Sequence, residues 1–324
     1  MAVPAGSYQT YTAVGEREDL SDIIYDISPM DTPFMSNAAR ETASAVFHEW
    51  QTDSLAAASA TNAQIEGDDA TTNTADPTTR LGNYTQISNK VPRVTGTLRS
   101  VATAGRADEL SYQISKRGRE LKRDMESTLT GNQAGTAGGA GTARSCAGLG
   151  AWLSTNQVQQ GANATTPATT SGAPSAAPTA GTAATFVEAN LKSVVKSCWD
   201  NGGDPGVIMC GSFNKQAASG FSGIGTQYRD AQPNGGLAPG SVIGAADIYI
   251  SDFGQHQIVA NRFQPAATVF ALDMEYWCVA YLRPIQTEEL GKTGDSDRRM
   301  IITEYTLASK NEAASGKIYT TTTS

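Results

Sequence analysis

Residues 106–130 read RADELSYQISKRGRELKRDMESTLT and are bracketed by Gly105 and Gly131. Leu110, Ile114, Leu121, Met125 and Leu129 fall along one narrow stripe at helical spacing. The segment therefore predicts a helix from Arg106 to Thr130, roughly 37 Å long at about 1.5 Å per residue. Lys116, Arg117, Arg119, Glu120, Lys122, Arg123, Asp124 and Glu126 cover the rest of its surface with both signs, so only one side is expected to pack on its own domain. Gly118 lies on the stripe, where glycine costs about 1 kcal/mol relative to alanine. Either another backbone approaches closely there, or the cost is tolerated.

Downstream, residues 131–182 are rich in Gly, Ala, Thr, Ser and Pro around the apolar Leu149-Gly150-Ala151-Trp152-Leu153. This composition fits either an irregular surface excursion with one buried anchor or a long linker. A second helix is expected from Thr185, with Glu188 completing a capping box, to about Trp199. Val207–Cys210 reads as a short buried strand, Ser212 as the cap of a helix reaching Gly220, and Asp247–Ser251 as the start of strands continuing near Gln257-Ile258-Val259. This alternation marks an α+β domain. Val269 to Leu282 is strongly β-like and Met300 to Leu307 reads as its partner across a charged turn at Gly291–Asp297, so a long hairpin closes the fold.

Upstream, Ala45–Gln51 and Tyr84–Thr97 read as two extended arms of another long hairpin, the second broken by Pro92. Between Gln51 and Lys90 the large apolar residues are Leu55, Ile65, Leu81, Tyr84 and Ile87. Ordering those 40 residues costs roughly 1–2 kcal/mol each. Burying five side chains returns only about 1.5–3 kcal/mol apiece, and each hairpin hydrogen bond adds about 1 kcal/mol net. The segment is either disordered or ordered by neighbours. Residues 1–44 read as an extended arm: Leu20, Ile23, Ile24 and Ile27 sit at short helical spacing before Pro29 and Pro33 break any helix.

Composition narrows the chemistry. Lys+Arg 24 against Asp+Glu 32 gives a net charge of −8, which argues against sequence-reading nucleic-acid binding at a basic face. Cys146, Cys198, Cys210 and Cys278 form no C-x-x-C and no disulfide framework. The opening residues resemble no secretory signal and no apolar run reaches about 18 residues, so neither export by a signal peptide nor a membrane span is expected. His48 and His256 stand alone, without zinc-ligand spacing. Phosphate-loop, dinucleotide and nucleophile-elbow motifs are missing. Glu66, Asp68 and Asp69 cluster three carboxylates but lack a calcium-loop register and read as a solvated loop. No catalytic residue, cofactor or metal is expected, and the chain reads as a non-enzyme.

The order of an arm, a poorly self-supporting hairpin, a one-sided long helix, an α+β domain and a closing hairpin resembles the HK97-like major capsid proteins of tailed bacteriophages. Short segments carry the likeness in order: Arg17-Glu18-Asp19-Leu20-Ser21-Asp22, Ser28-Pro29-Met30-Asp31-Thr32-Pro33-Phe34, Asn83-Tyr84-Thr85-Gln86-Ile87, Arg106-Ala107-Asp108-Glu109-Leu110, Lys122-Arg123-Asp124-Met125-Glu126, Leu290-Gly291-Lys292-Thr293-Gly294-Asp295 and Asn311-Glu312-Ala313. The resemblance spans nearly the whole chain. It implies an α+β HK97-like fold divided into an N-terminal arm (1–44), an extended E-loop hairpin (45–94), a peripheral domain with a spine helix (95–135), an axial domain (136–276) and peripheral return strands (277–324).

It also implies a subunit that forms hexamers and pentamers of an icosahedral head around double-stranded DNA, held without sequence specificity. Portal, scaffold and decoration proteins would be its further partners, with no membrane, and assembly would occur in the host cytoplasm. The arm is too short for a fused scaffolding domain, so a separate scaffold protein, or none, is implied. Contacts between subunits are expected at Phe34, Trp50, Glu66, Asp68, Asp69, Arg80, Lys292, Asp295, Asp297, Arg298 and Arg299. Some relatives join E-loop lysines to asparagines of neighbours, yet no lysine lies between Ala45 and Asn89, so the shell is expected to be non-covalent. A tail-tube subunit or surface-layer module is the alternative, and the long one-sided helix speaks against both.

Overall fold

The computed structural model describes residues 29–67, 69, 77–101, 103–159, 165–221 and 247–323. The helical spacing expected around Leu20 to Ile27, and Asp68, lie outside them. Helices and sheets are mixed, as an α+β chain requires. A five-stranded sheet contains β1 (Ala39–Thr42), β4 (Gln86–Lys90), β5 (Arg93–Thr95), β13 (Trp277–Leu290) and β14 (Ser296–Ser309). Its order is β1-β13-β14-β4, with β5 continuing beside β14. Pro92 sits between β4 and β5, where its missing N–H breaks no ladder bond, and its carbonyl accepts from Arg299 N at 3.3 Å.

The long helix, α3, runs Glu109–Leu129. It starts three residues later than its periodicity suggested, because Asp108 caps it by accepting from Leu110 N and Ser111 N at 3.3 and 3.2 Å. Leu110, Leu121, Met125 and Leu129 are buried, and the helix packs on β14 and β4. Of the two readings of Gly118, the tolerated cost is the one that fits within the subunit, since an added side-chain carbon would meet nothing within 4 Å among the described residues. Glu126, read as part of the solvated surface, is fully buried.

A six-stranded sheet has the order β10-β11-β9-β12-β15-β6. Its members are β6 (Asn156–Gln159), β9 (Val207–Cys210), β10 (Ile248–Ser251), β11 (Gly254–Ala260), β12 (Thr268–Leu272) and β15 (Gly316–Tyr319). Helices α5 (Glu188–Asp200) and α6 (Ser212–Ser219) contribute to the core of Leu191, Val194, Val195, Cys198, Ile208, Cys210, Ala218, Val269, Ala271 and Ile318. Neither begins as expected: Val187 and Gly211 hold the cap positions without side-chain bonds, so Thr185 makes no capping box and Ser212 is already helical. Glu188 instead pairs with Lys192 and accepts from Tyr249 Oη at 3.1 Å.

The apparently continuous β run from Val269 to Leu282 is divided between the two sheets. Asp273 caps a 3-10 turn at Met274–Tyr276, and the chain leaves β12 to enter β13 at Trp277. All of Thr268–Leu272 and Trp277–Ala280 are buried, so no alternation marks the break in sequence. Strands β9 and β12 also partition the interior. Met209, Phe270 and Leu272 point into the core under α3, while Ile208, Cys210, Val269 and Ala271 point into the core under α5.

Candidate assembly surfaces

The extended hairpin is formed by β2 (Phe47–Thr52) and β3 (Thr79–Tyr84), paired antiparallel from Phe47↔Tyr84 to Thr52↔Thr79. Its root is tied down by groups far away in sequence. Asn83 donates to Leu307 O at 2.8 Å and Ala147 O at 3.2 Å, and accepts from Ala147 N at 2.9 Å. Thr306 Oγ1 donates to Tyr84 O at 2.8 Å. Glu304, nearly buried, takes a bond from Thr85 Oγ1 at 2.8 Å and pairs with both Arg144 and Arg283. Trp50 is buried with its ring 5.6 Å from that of Trp152, and Lys310 Nζ lies 5.4 Å from its centre.

Beyond the ladder the surroundings change. Residues 53–67 are exposed throughout, Leu55 at 100% and Ile65 at 77%. Glu66 and Asp69 are also exposed, and Arg80 pairs with Glu49 at the ladder's outer side. The described tip thus has apolar side chains that the other described residues leave uncovered.

A second contact ties the arm to the long helix. Pro33–Asn37 forms a short helix, α1, whose first free N–H groups, Phe34 N and Met35 N, donate to Glu126 at 2.8 and 2.9 Å. Asn261 Nδ2 adds a third donor at 2.8 Å. Burial raises the pKa of this carboxyl, against the pull of its three donors. The Phe34 ring has no exposed surface and Trp50 almost none, so both side chains pack within their own subunit. Glu126 lies beside Leu129 on the helix wheel, the one local sign of its burial; its charge hid that sign.

The turn between β13 and β14 gathers the remaining candidates. Asp297 pairs with Lys292 at 2.7 Å and with Arg99 of α2 (Gly96–Ser100), and these two cations lower its pKa. The Asp295 carbonyl accepts from Gly96 N at 3.3 Å, Arg298 Nη2 donates to Gly291 O at 2.8 Å, and Arg299 pairs with Glu289 at 3.2 Å. The structure therefore brings Lys292, Asp295 and Asp297 together with Arg99, a residue the sequence reading had passed over. Lys292, Asp297, Arg298 and Arg299 each have a partner in their own chain, Asp295 is bonded through its backbone carbonyl, and Lys292, Gly291 and Asp295 remain exposed.

Among the described residues no three His, Cys, Asp or Glu side chains converge as metal ligands. Burial pushes the thiols of Cys146, Cys198 and Cys278 up to about 12 and that of Cys210 to about 11, which makes them poor nucleophiles at neutral pH. His256 is held by Ser251 Oγ at 2.7 Å and Pro205 O at 2.5 Å. His48 is buried beside Trp50 with Nε2 unpartnered. No helix of the described residues is long and apolar enough to cross a membrane.

A family model described as SU10 major capsid protein matches residues 5–323. The chain is 28% identical over 342 residues to the major capsid protein of Escherichia phage Phieco32, an alignment covering 97% of this chain and 96% of that one. Among solved structures it is similar to a chain of the cyanophage A-1(L) capsid asymmetric unit, with a TM-score of 0.61 at 13% identity, covering 95% of this chain and 98% of that one. It is also similar to a chain from the capsid of the native GTA particle computed with C5 symmetry, with a TM-score of 0.58 at 11% identity over 97% of each.

Proposed function

The chain belongs to the SU10 major capsid protein family and has an HK97-like capsid fold, so it is a structural subunit of a phage capsid; from this premise we propose how it assembles. The subunits form hexamers and pentamers of an icosahedral head, with the E-loop of each lying across its neighbour. One observation carries this reading: Leu55 and Ile65 stand in solvent at the tip of a hairpin whose root is firmly anchored. Covering each of those side chains with a neighbour returns about 1.5–3 kcal/mol.

The domain division follows: arm 1–44, E-loop 45–94, spine-helix segment 95–135, axial domain 136–276 and return strands 277–324, with β15 re-entering the axial sheet. The charged residues Glu66, Asp68, Asp69, Arg80, Lys292, Asp295, Asp297, Arg298 and Arg299 line the contacts between copies, while Phe34 and Trp50 support them from inside. The role is structural rather than enzymatic. Packaged DNA is held without sequence reading, a portal serves as a partner, the scaffold is either a separate protein or none, and assembly takes place in the host cytoplasm.

The test is to overexpress the chain and image it by negative-stain microscopy. Closed shells or capsomer rings are expected, and a strictly monomeric protein at high concentration overturns the reading. Heating assembled particles in denaturing detergent is expected to release single chains, because the one E-loop lysine, Lys90, sits at the base of the loop paired with Asp124 of the spine helix, and none lies between Ala45 and Asn89. A ladder of ligated species would contradict the non-covalent shell.

A further inference from the structure

The Ala/Thr/Pro-rich excursion, which the capsid reading leaves without a task, contains a small hairpin of β7 (Ala168–Thr170) and β8 (Ala173–Ala176). Its two-residue turn has Ser171 at φ 52° and Gly172 at φ 78°, the left-handed pair that a tight hairpin turn needs. Pro174 is its only buried residue, so the hairpin has no core of its own. An isolated two-stranded ribbon of this kind is at best marginally stable in water. Its order has to come from what it touches.

It touches two separate bodies. At the tip, Gly172 O accepts from Gly82 N at 3.1 Å, on the edge of β3 that faces away from β2. A side-chain carbon at Gly172 would lie 2.0 Å from Arg80 O, so the turn sits directly against the E-loop backbone. Nearby, Pro174 O accepts from Gly135 N at 3.2 Å. At the stem, Thr165 and Thr179 pair through backbone and hydroxyl bonds, and Tyr319 Oη donates to Thr165 O at 3.2 Å. Gly181 N donates to Thr320 Oγ1 at 3.3 Å and Ala184 N to Thr320 O at 3.1 Å. The stem is therefore fastened to the end of the axial sheet, and the tip to the E-loop.

We propose that residues 165–184 form a strut from the axial sheet to the E-loop, and that the seat of Gly172 on Gly82 and Arg80 sets the direction in which the E-loop leaves its subunit, and with it the curvature of the shell. Gly82 and Gly172 are then positioning residues for assembly. This rests on the capsid reading above only in its last step, since the strut itself is a property of one subunit.

The test uses the full chain with Gly172→Val, and a second variant with 168–176 replaced by a Gly-Ser linker of equal length. Both leave the two cores untouched, and an unchanged melting temperature checks that they fold. Amide exchange at Gly82 is expected to rise at least tenfold. Spin labels on Thr78→Cys and Lys196→Cys, selective because the native cysteines are buried, should give a distance distribution at least twice as broad. Assembled particles should lose their uniform diameter. Unchanged exchange and unchanged distances in both variants overturn the strut. Loosened E-loops in particles of parental diameter overturn its control of curvature. If the parent chain forms no particles, the capsid reading fails instead, and the subunit measurements still decide the strut.

Discussion

The root and the tip of the E-loop belong to one hairpin yet have opposite surroundings. At the root, Asn83 satisfies three backbone groups from two distant segments and Trp50 is enclosed by Trp152, His48 and Lys310. At the tip, Leu55 is completely exposed. The difference teaches where a shell subunit ends: the root is completed by its own chain, and the tip, on the assembly proposed above, is left for another copy. A charge placed at the tip therefore harms assembly and spares folding, whereas a change at the root harms folding first.

The largest effect should come at the tip. Leu55→Asp with Ile65→Asp is expected to lower the yield of closed particles more than tenfold, while urea unfolding of the free subunit moves by no more than about 0.5 kcal/mol, as for an ordinary surface change. Equal losses in both measurements would erase the contrast between root and tip. At the root, Asn83→Ala strands Ala147 N, Ala147 O and Leu307 O in the interior. Unmet buried groups cost about 1–3 kcal/mol each, and partial access of water reduces the sum, so a loss of about 3 kcal/mol in urea unfolding is expected.

Behind the root, Lys317 is buried with Nζ 2.6 Å from Gly150 O, and burial pushes its pKa from 10.5 down to about 7. The unfolded chain then holds a proton there that the folded chain lacks between about pH 7 and 10.5. Stability should rise with pH across that window, by at most about 1.4 kcal/mol per unit from this group. In Lys317→Met that part of the rise should vanish, which paired melts at pH 7 and pH 9 can check. The smallest effect belongs to α3. Gly118→Ala enters open space and should stabilise the subunit by up to about 1 kcal/mol. A stabilised subunit that assembles poorly would show that a neighbour approaches the helix at Gly118, extending the tip's logic to the spine.

Much of this arrangement was legible along the chain. The stripe from Leu110 to Leu129 located the long helix, and the scarcity of apolar residues between Gln51 and Lys90 marked a hairpin unable to support itself. The candidate contacts were less legible. Phe34 and Trp50 were expected at contacts between subunits, but a large apolar side chain looks the same in sequence whether its own core or a neighbour covers it. Arg99 was overlooked because nothing in its own segment points to Asp297.

Periodicity and apolar content are properties of contiguous residues, so the sequence by itself determined the spine helix, the α+β alternation and the unfinished E-loop. Only the tertiary structure decided that Glu126 holds the arm, that residues 268–282 serve two sheets, and that the 168–176 hairpin contacts the E-loop backbone at Gly82. Each of those rests on partners remote in the chain, 92 positions for Phe34 with Glu126 and 224 for Asn83 with Leu307. A buried carboxylate and a solvated one share the same letter, and the groups that satisfy the buried one are chosen by the fold.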